Sequence, residues 1–517
     1  MSNENKNHHN KLIYFLATVK FVIPFILVPS FYELHRDEYL YLAEAKHLAW
    51  GYMEVPPMLS FLGWISNLLG ETMFWVKLWP GLFGAATFII TAKIVTDLGG
   101  KTFAIILCFL PFILTGYIRL FYLFHPNFLD TFFWTLMAFS VFKFIRTNQN
   151  KWLYVLGISA GLGMMSKYST AFYFISILAG ILITQHKTFF LNKHLYIAGF
   201  IGVCIFLPNI FWQYNHNLPL IAHMQELQDE QLKFNSPLNF IISQLLMLLP
   251  FLFLWMIGLY FASFSKEGKP YRAFGWAYLL VIIILIILRG KDYYAIGAYP
   301  ILFAFGSYQF ERFSFNRLNW VKYIPLGLGI LLGLYIYPLL LPVAEPAKLS
   351  NYYQKAKLTK SGAFKWEDQQ EHELPQDFAD MIGWEDLATK TAKVYHSLSK
   401  EQQAKTLIYC RGYYSAGALN YYAKKYDLPE VYSDNASFLG WMPKKYDINN
   451  LILVGKNMPD STDLVFTLFK NKQIVDSSGV SYFREKKLKI ILFENGKDSL
   501  NIAIEQGIKQ LKQRFRL

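Results

Sequence analysis

The chain has 517 residues, 54% hydrophobic, 18% aromatic and only 17% charged, a balance that excludes an ordinary soluble globular protein. Its formal net charge of +14 would suit nucleic acid, but the Lys and Arg residues fall mostly in short loops between apolar runs, a pattern that sets orientation in a bilayer rather than a nucleic-acid stripe. Three cysteines, two of them inside apolar runs, argue against a disulfide framework or a cysteine-based zinc site.

A polar stub leads into the first apolar run, 12–31, which lacks an A-x-A-like cleavage site and reads as a retained anchor, with Lys20 expected to snorkel toward headgroups. Next comes LHRDEYLYLAEAKHLAW. Asp37, Tyr41, Glu44 and Leu48 follow helical spacing on one face, so a helix lying along the interface is expected in the first outer loop. Asp37 and Glu38 open it, and acids in a first turn also satisfy the helix dipole, so capping and chemistry both account for the pair.

Further apolar runs fall near 74–96, 102–119, 126–145, 151–166, 169–185, 194–212, 237–262, 273–288, 293–310 and 321–342, about eleven spans in all, each judged against a hydrocarbon core of ~30 Å. With the N-terminus inside, the inner loops carry Lys101; Lys143, Arg146 and Lys151; Lys187 and Lys193; Lys266, Lys269 and Arg272; then Arg312, Arg317 and Lys322. An odd span count sends residues 343–517 outside. There, short β-rich runs (TLIYC, NLILVG, LKIILF) alternate with helical patterns such as SAGALNYYAKKY, the mark of a small α/β domain. The chain therefore divides into a transmembrane part, 1–342, and a C-terminal part, 343–517.

In this topology the unusual polar groups gather on the outer side. HPNFLD, 125–130, puts Asp130 one turn into the fourth run, where an ionised group must face protein rather than lipid. Lys167 in GLGMMSKYS, and Arg289, Lys291 and Tyr293 in RGKDYY, are cations and a phenol at span ends; each alone suits snorkelling, and together they suit a phosphate. LPNIFWQYNHNLP, 207–219, mixes Trp212 and His216, readable as a membrane belt or as sugar contacts.

These residues, in this order, resemble the GT-C glycosyltransferases of the bacterial protein-mannosyltransferase and aminoarabinose-transferase type over 12–342. RDEYLYLAEAKHLAWGY matches that family's acidic pair after the first span, EVPPM its Pro-Pro stretch at Pro56 and Pro57, HPNFLD its second acid, and KDYYAIGAYP its K-x-Y-Y pattern through Pro300. Val55 departs from it, standing where aminoarabinose transferases carry a lysine. The resemblance implies a polytopic α-helical GT-C protein of the bacterial inner membrane, N-terminus cytoplasmic and C-terminal domain extracytoplasmic. It implies inverting transfer of a sugar from a polyprenyl-phosphate donor to an extracytoplasmic lipid, glycan or protein hydroxyl. Asp37 would act as general base, with Glu38 and Asp130 as further catalytic acids. Lys167, Arg289, Lys291 and Tyr293 would hold the phosphate, and His35, Tyr41, His125, Trp212 and His216 would contact acceptor or sugar. No obligatory metal or other cofactor and no nucleic-acid partner is expected. A lipid-linked sugar transporter or flippase is the alternative reading; it requires polar sites near the midplane, whereas these groups sit at span ends.

Overall fold

The computed structural model describes residues 3–313, 320–460 and 464–515. Arg317 lies outside the described residues. Among the described residues, six helices are long and apolar enough to cross a membrane: Lys6–Leu27, Met73–Leu98, Pro126–Thr147, Lys193–Asn215, Lys269–Ile287 and Trp320–Leu340. The pair Pro237–Leu246 and Leu249–Phe264, bent by 66°, makes a seventh if it is one span. Other expected spans are shorter: Thr102–Leu114, Lys151–Met164, Thr170–Leu182 and Tyr299–Arg312. The polar SKYS does separate the 151–185 region into two helices.

Lipid supplies no hydrophobic drive for helix pairing, so close packing must hold the bundle. At Gly258 an added Cβ would strike the Leu302 carbonyl, and at Gly306 the Leu254 carbonyl, so Leu252–Phe264 and Tyr299–Arg312 meet backbone to backbone. Charges counted as inner do meet at one end of the bundle. Lys143 Nζ donates to Asp97 at 2.8 Å, Arg146 Nη1 lies 3.3 Å from the Tyr271 hydroxyl, and Glu311 accepts from the amides of Lys101 and Ala104.

Lys20 does not snorkel. It is fully buried, its ammonium 4.4 Å from the centre of the Phe121 ring, because the ring face offers a cation a favourable site that the helix end does not need to supply.

The other end carries the tail. Strands β1 (Thr406–Cys410), β2 (Val431–Tyr432), β3 (Asn450–Gly455), β4 (Phe469–Ser477) and β5 (Lys489–Gly496) form one sheet in the order β2-β1-β3-β5-β4. The β2-β1-β3 part is parallel, and β5 and β4 add antiparallel. The helix Tyr413–Tyr426, which follows β1, lies on the helix Arg36–Lys46, with Gly417 against the Tyr39 backbone and the Tyr39 ring 5.4 Å from that of Tyr421.

The helix Arg36–Lys46 is therefore not an interfacial helix with one wet face. Residues Glu38 to Ala45 are all buried, sandwiched between the tail and the helix Met58–Leu68. Leu48 falls beyond its end and is exposed. Backbone bonds complete the junction: Glu33 N donates to Met381 O at 2.8 Å, and Arg36 N to Asp380 O at 3.1 Å.

Candidate active site

A cavity of about 250 Å³ opens where the bundle meets the tail. Three of its residues are N-caps: His35 of Arg36–Lys46, His125 of Pro126–Thr147, and Lys291 of the 3-10 helix Asp292–Ala298. Pro126 fixes the start of one helix, and extended backbone at all three caps turns the chain sharply into the helices. Short-range helix signals thus bring distant parts of the chain to one point.

Asp37 lies at the cavity wall. Tyr413 donates to its Oδ1 at 2.6 Å and Arg36 Nε stands 3.3 Å from the same oxygen, while Oδ2 is 3.9 Å from His125 Nε2. Burial would raise its pKa, but Arg36 and His35 outweigh burial and hold the carboxyl well below the usual range.

His35 sits among carboxylates, with Nε2 3.5 Å from Asp380 and 3.8 Å from Asp377. Burial opposes its charge, yet Asp377, Asp380 and Asp37 together push its pKa up to about 10. His125 moves the other way, to about 4, because burial and the neighbouring His35 both disfavour a second cation. A charged His35 donates from Nδ1 to the neutral His125 Nε2 at 3.2 Å. The Asp37 amide, also 3.2 Å from Nδ1, is capped only by the neutral ring, so capping and charge compete at His35.

Glu38 does not face the cavity. It is fully buried, accepting from Lys77 Nζ at 2.6 and 2.7 Å, from the His35 amide at 2.8 Å and from the Phe124 amide at 2.5 Å. Burial works against its charge and Lys77 prevails, leaving the pKa below the ordinary value. Glu38, expected among the catalytic acids, therefore does not line the cavity; it holds the His35 amide and, through Phe124, the approach to His125.

Asp130 is also set back. Ser169 and Thr170 donate to it at 2.8 and 2.9 Å, holding it behind the wall. Lys167 reaches the cavity through Asn127, a lining residue, its Nζ donating to Asn127 Oδ1 at 2.7 Å and standing 4.1 Å from the Tyr294 ring centre. Burial lowers the Lys167 pKa to about 8, Asp130 opposing and Lys291 reinforcing.

Lys291 and Tyr293 line the cavity. Arg289 does not: it is exposed, and its Nη1 donates to the Lys233 carbonyl at 2.8 Å. Tyr41 lies behind His125, ring centres 6.0 Å apart, without lining the cavity. Trp212 and His216 stack on each other at 4.2 Å at the end of Lys193–Asn215, away from the cavity lining. Five polar connections expected at one membrane surface need not share one pocket, which is why these assignments separate.

Sequence reading missed the tail's contribution. Asp377, Asp380 and Glu367 line the cavity, Tyr413 orients Asp37, and Arg119 adds a further cation 3.2 Å from Asp377. Asp377 lies in, and Asp380 caps, a four-residue helix, Gln376–Ala379, too short to leave a periodic signal. Two sets of ligand atoms, from His35, Asp37 and His125 and from His35, Asp377 and Asp380, lie within 4.8 Å of one another and could hold a cation. They share His35, whose proton such an ion would have to displace.

A bundle of apolar helices, with its first connection folded under a mixed sheet and a charged cavity at the junction, defines a multi-pass membrane protein of GT-C architecture. Residues 54–212 match the family model described as dolichyl-phosphate-mannose-protein mannosyltransferase. The fold matches the crystal structure of ArnT from Cupriavidus metallidurans bound to undecaprenyl phosphate, with TM-score 0.65, 14% identity, and coverage of 93% of this chain and 97% of that one. The apo state of ArnT from the same organism gives TM-score 0.64, 13% identity, and coverage of 94% and 98%. No curated protein matches by sequence. The resemblance to the GT-C glycosyltransferases is thereby shown.

Proposed function

We propose that this protein is an inverting glycosyltransferase that moves a sugar from a polyprenyl-phosphate donor to an extracytoplasmic acceptor hydroxyl, in the inner membrane of a bacterium. The observation that carries the proposal is a part-buried, ionised carboxylate, Asp37, in the same small cavity as the ammonium of Lys291, which lies 3.9 Å from Glu367. An acid and a cation in one cavity supply what displacement at an anomeric carbon requires: a proton acceptor for the attacking hydroxyl, and charge stabilisation for the departing phosphate.

Tyr413 and Arg36 occupy Asp37 Oδ1, leaving Oδ2 to receive the proton of the attacking hydroxyl. A carboxylate with a lowered pKa is a weak base, so proton transfer comes late, after the sugar has acquired oxocarbenium character. Positive charge on the ring is then met by the carboxylates on the lining, Asp37, Asp377 and Asp380. As the C–O bond to phosphate breaks, negative charge on the leaving oxygen is met by Lys291 and Arg119, while Lys167 acts through Asn127 from behind. The donor's lipid tail remains in the bilayer, and no step is routed through a metal.

Asp37→Asn keeps the shape and the Tyr413 hydrogen bond and removes the base. It should reduce sugar transfer by roughly 10²–10⁴-fold while leaving undecaprenyl phosphate bound as before. Normal turnover of a labelled lipid-linked sugar by this variant would refute the assignment, and turnover lost to chelator and restored by one divalent ion would refute the metal-free route.

A further inference from the structure

A second cavity, of about 620 Å³, adjoins the first, and both are walled by Lys291, Tyr293, Glu367 and Gln376. It lies between the segment 231–243, which starts the bent helix pair, and the segment 365–376 of the tail. Its chemistry differs from that of its neighbour. The first cavity is built from carboxylates, histidines and guanidinium groups; the second is built mainly from uncharged polar side chains, Gln231, Asn235, Ser236, Asn239, Ser243 and Gln369.

We infer that this groove is an acceptor subsite for a neutral saccharide, whose hydroxyl is presented to Asp37 across the shared wall. The inference rests on the transferase reading and adds the class of acceptor.

Three observations carry it. The charged groups on the lining balance, Lys291 and Lys365 against Asp292 and Glu367, with Lys291 already 3.9 Å from Glu367. An anionic lipid or acidic glycan would need cations in excess. Amide and hydroxyl groups, each offering donor and acceptor together, match the vicinal hydroxyls of a sugar. The side-chain oxygen of Gln231 is buried with no hydrogen-bond partner among the described residues, an acceptor that a ligand hydroxyl would satisfy. Lastly, the exposed Phe234 stands on the same lining and offers a flat apolar face to the C–H side of a sugar ring, beside Trp366, whose ring is stacked on His372. The volume falls within the ~300–1,000 Å³ of small-ligand sites.

The test is saturation-transfer NMR on the full chain in lipid nanodiscs. The probes are three neutral oligosaccharides (cellotetraose, chitotetraose and maltotetraose), tetragalacturonate, and a Ser/Thr-rich peptide. Undecaprenyl phosphate binding is measured on the same samples by native mass spectrometry. We expect saturable binding of at least one neutral tetrasaccharide in preference to the acid and the peptide. Asn239→Trp, which fills the groove from an exposed helical position, should weaken it about tenfold or more. Gln231→Leu, which keeps the shape and removes the amide, should weaken it about fivefold. Neither variant should change undecaprenyl phosphate binding. Preference for tetragalacturonate or peptide, absence of saturable neutral-sugar binding, or indifference to both substitutions would overturn the inference. Sugar binding without undecaprenyl phosphate binding would uphold the groove and count against the transferase reading; the reverse would overturn the groove alone.

Discussion

Replacing Lys77 by Met tests how the site is held. The substitution keeps an unbranched apolar stem beside the Tyr122 ring, which the ammonium now faces at 4.3 Å, and deletes the charge. Glu38 would retain the His35 and Phe124 amides and lose its hydrogen-bonded cation, the partner at 2.6 and 2.7 Å. Lys77 and Glu38 are 2% and 0% exposed, so water cannot replace the missing charge, and breaking such a pair costs about 3–5 kcal/mol. Glu38 can escape only by taking up a proton, and its new O–H then conflicts with one of the two amide donors. Either outcome loosens the His35 cap and shifts Asp37. Unfolding titrated with SDS and followed by tryptophan fluorescence should show Lys77→Met strongly destabilised. Lys77→Met combined with Glu38→Gln should recover part of the loss, since no unpaired charge remains although the glutamine NH2 still meets one of the two amide donors. A single variant as stable as the parent, or a double variant less stable than the single one, would refute the reasoning.

Lys291→Gln removes a cation from the cavity wall and should weaken undecaprenyl phosphate binding by about 1.5–3 kcal/mol, whereas Arg289→Gln, whose guanidinium serves the Lys233 carbonyl, should leave it unchanged by the same mass-spectrometric measurement. Glu33 accepts from the Gly383 and Glu385 amides and from Tyr422, and burial raises its pKa from 4.5 to about 7. Because the folded state holds that proton more tightly than the unfolded state, its contribution is most favourable below the unfolded pKa and is lost as pH rises toward about 7. The melting midpoint of the parent should fall across this window relative to that of Glu33→Gln, and parallel pH profiles would dismiss the titration of Glu33.

Local chemistry made part of the site legible. Asp37, His35, His125, Lys291 and Tyr293 stand at the ends of apolar runs, where capping and hydropathy mark them, and all five line the cavity. Glu38 carried the same signal as Asp37, but successive helical positions point in different directions, and only the buried Lys77 decides which acid is turned inward. An intramembrane lysine asks for a partner, and that was the available sign. Trp212 and His216 shared the expected surface but not the pocket, because a membrane side is far wider than a cavity. The tail acids left no sign at all. Asp377 and Asp380 reach His35 across more than 340 residues of chain, and periodicity reports only neighbours on one element.

Since Tyr413, Asp377 and Asp380 are the last parts of the cavity to leave the ribosome, a nascent chain that has threaded all its apolar helices still holds an unfinished pocket. Its Asp37 would lack the phenol that orients it, and His35 the carboxylates that keep it charged. A substrate of the proposed transfer met during biogenesis would find no working machinery, so competence is delayed until the final segment has folded onto the bundle.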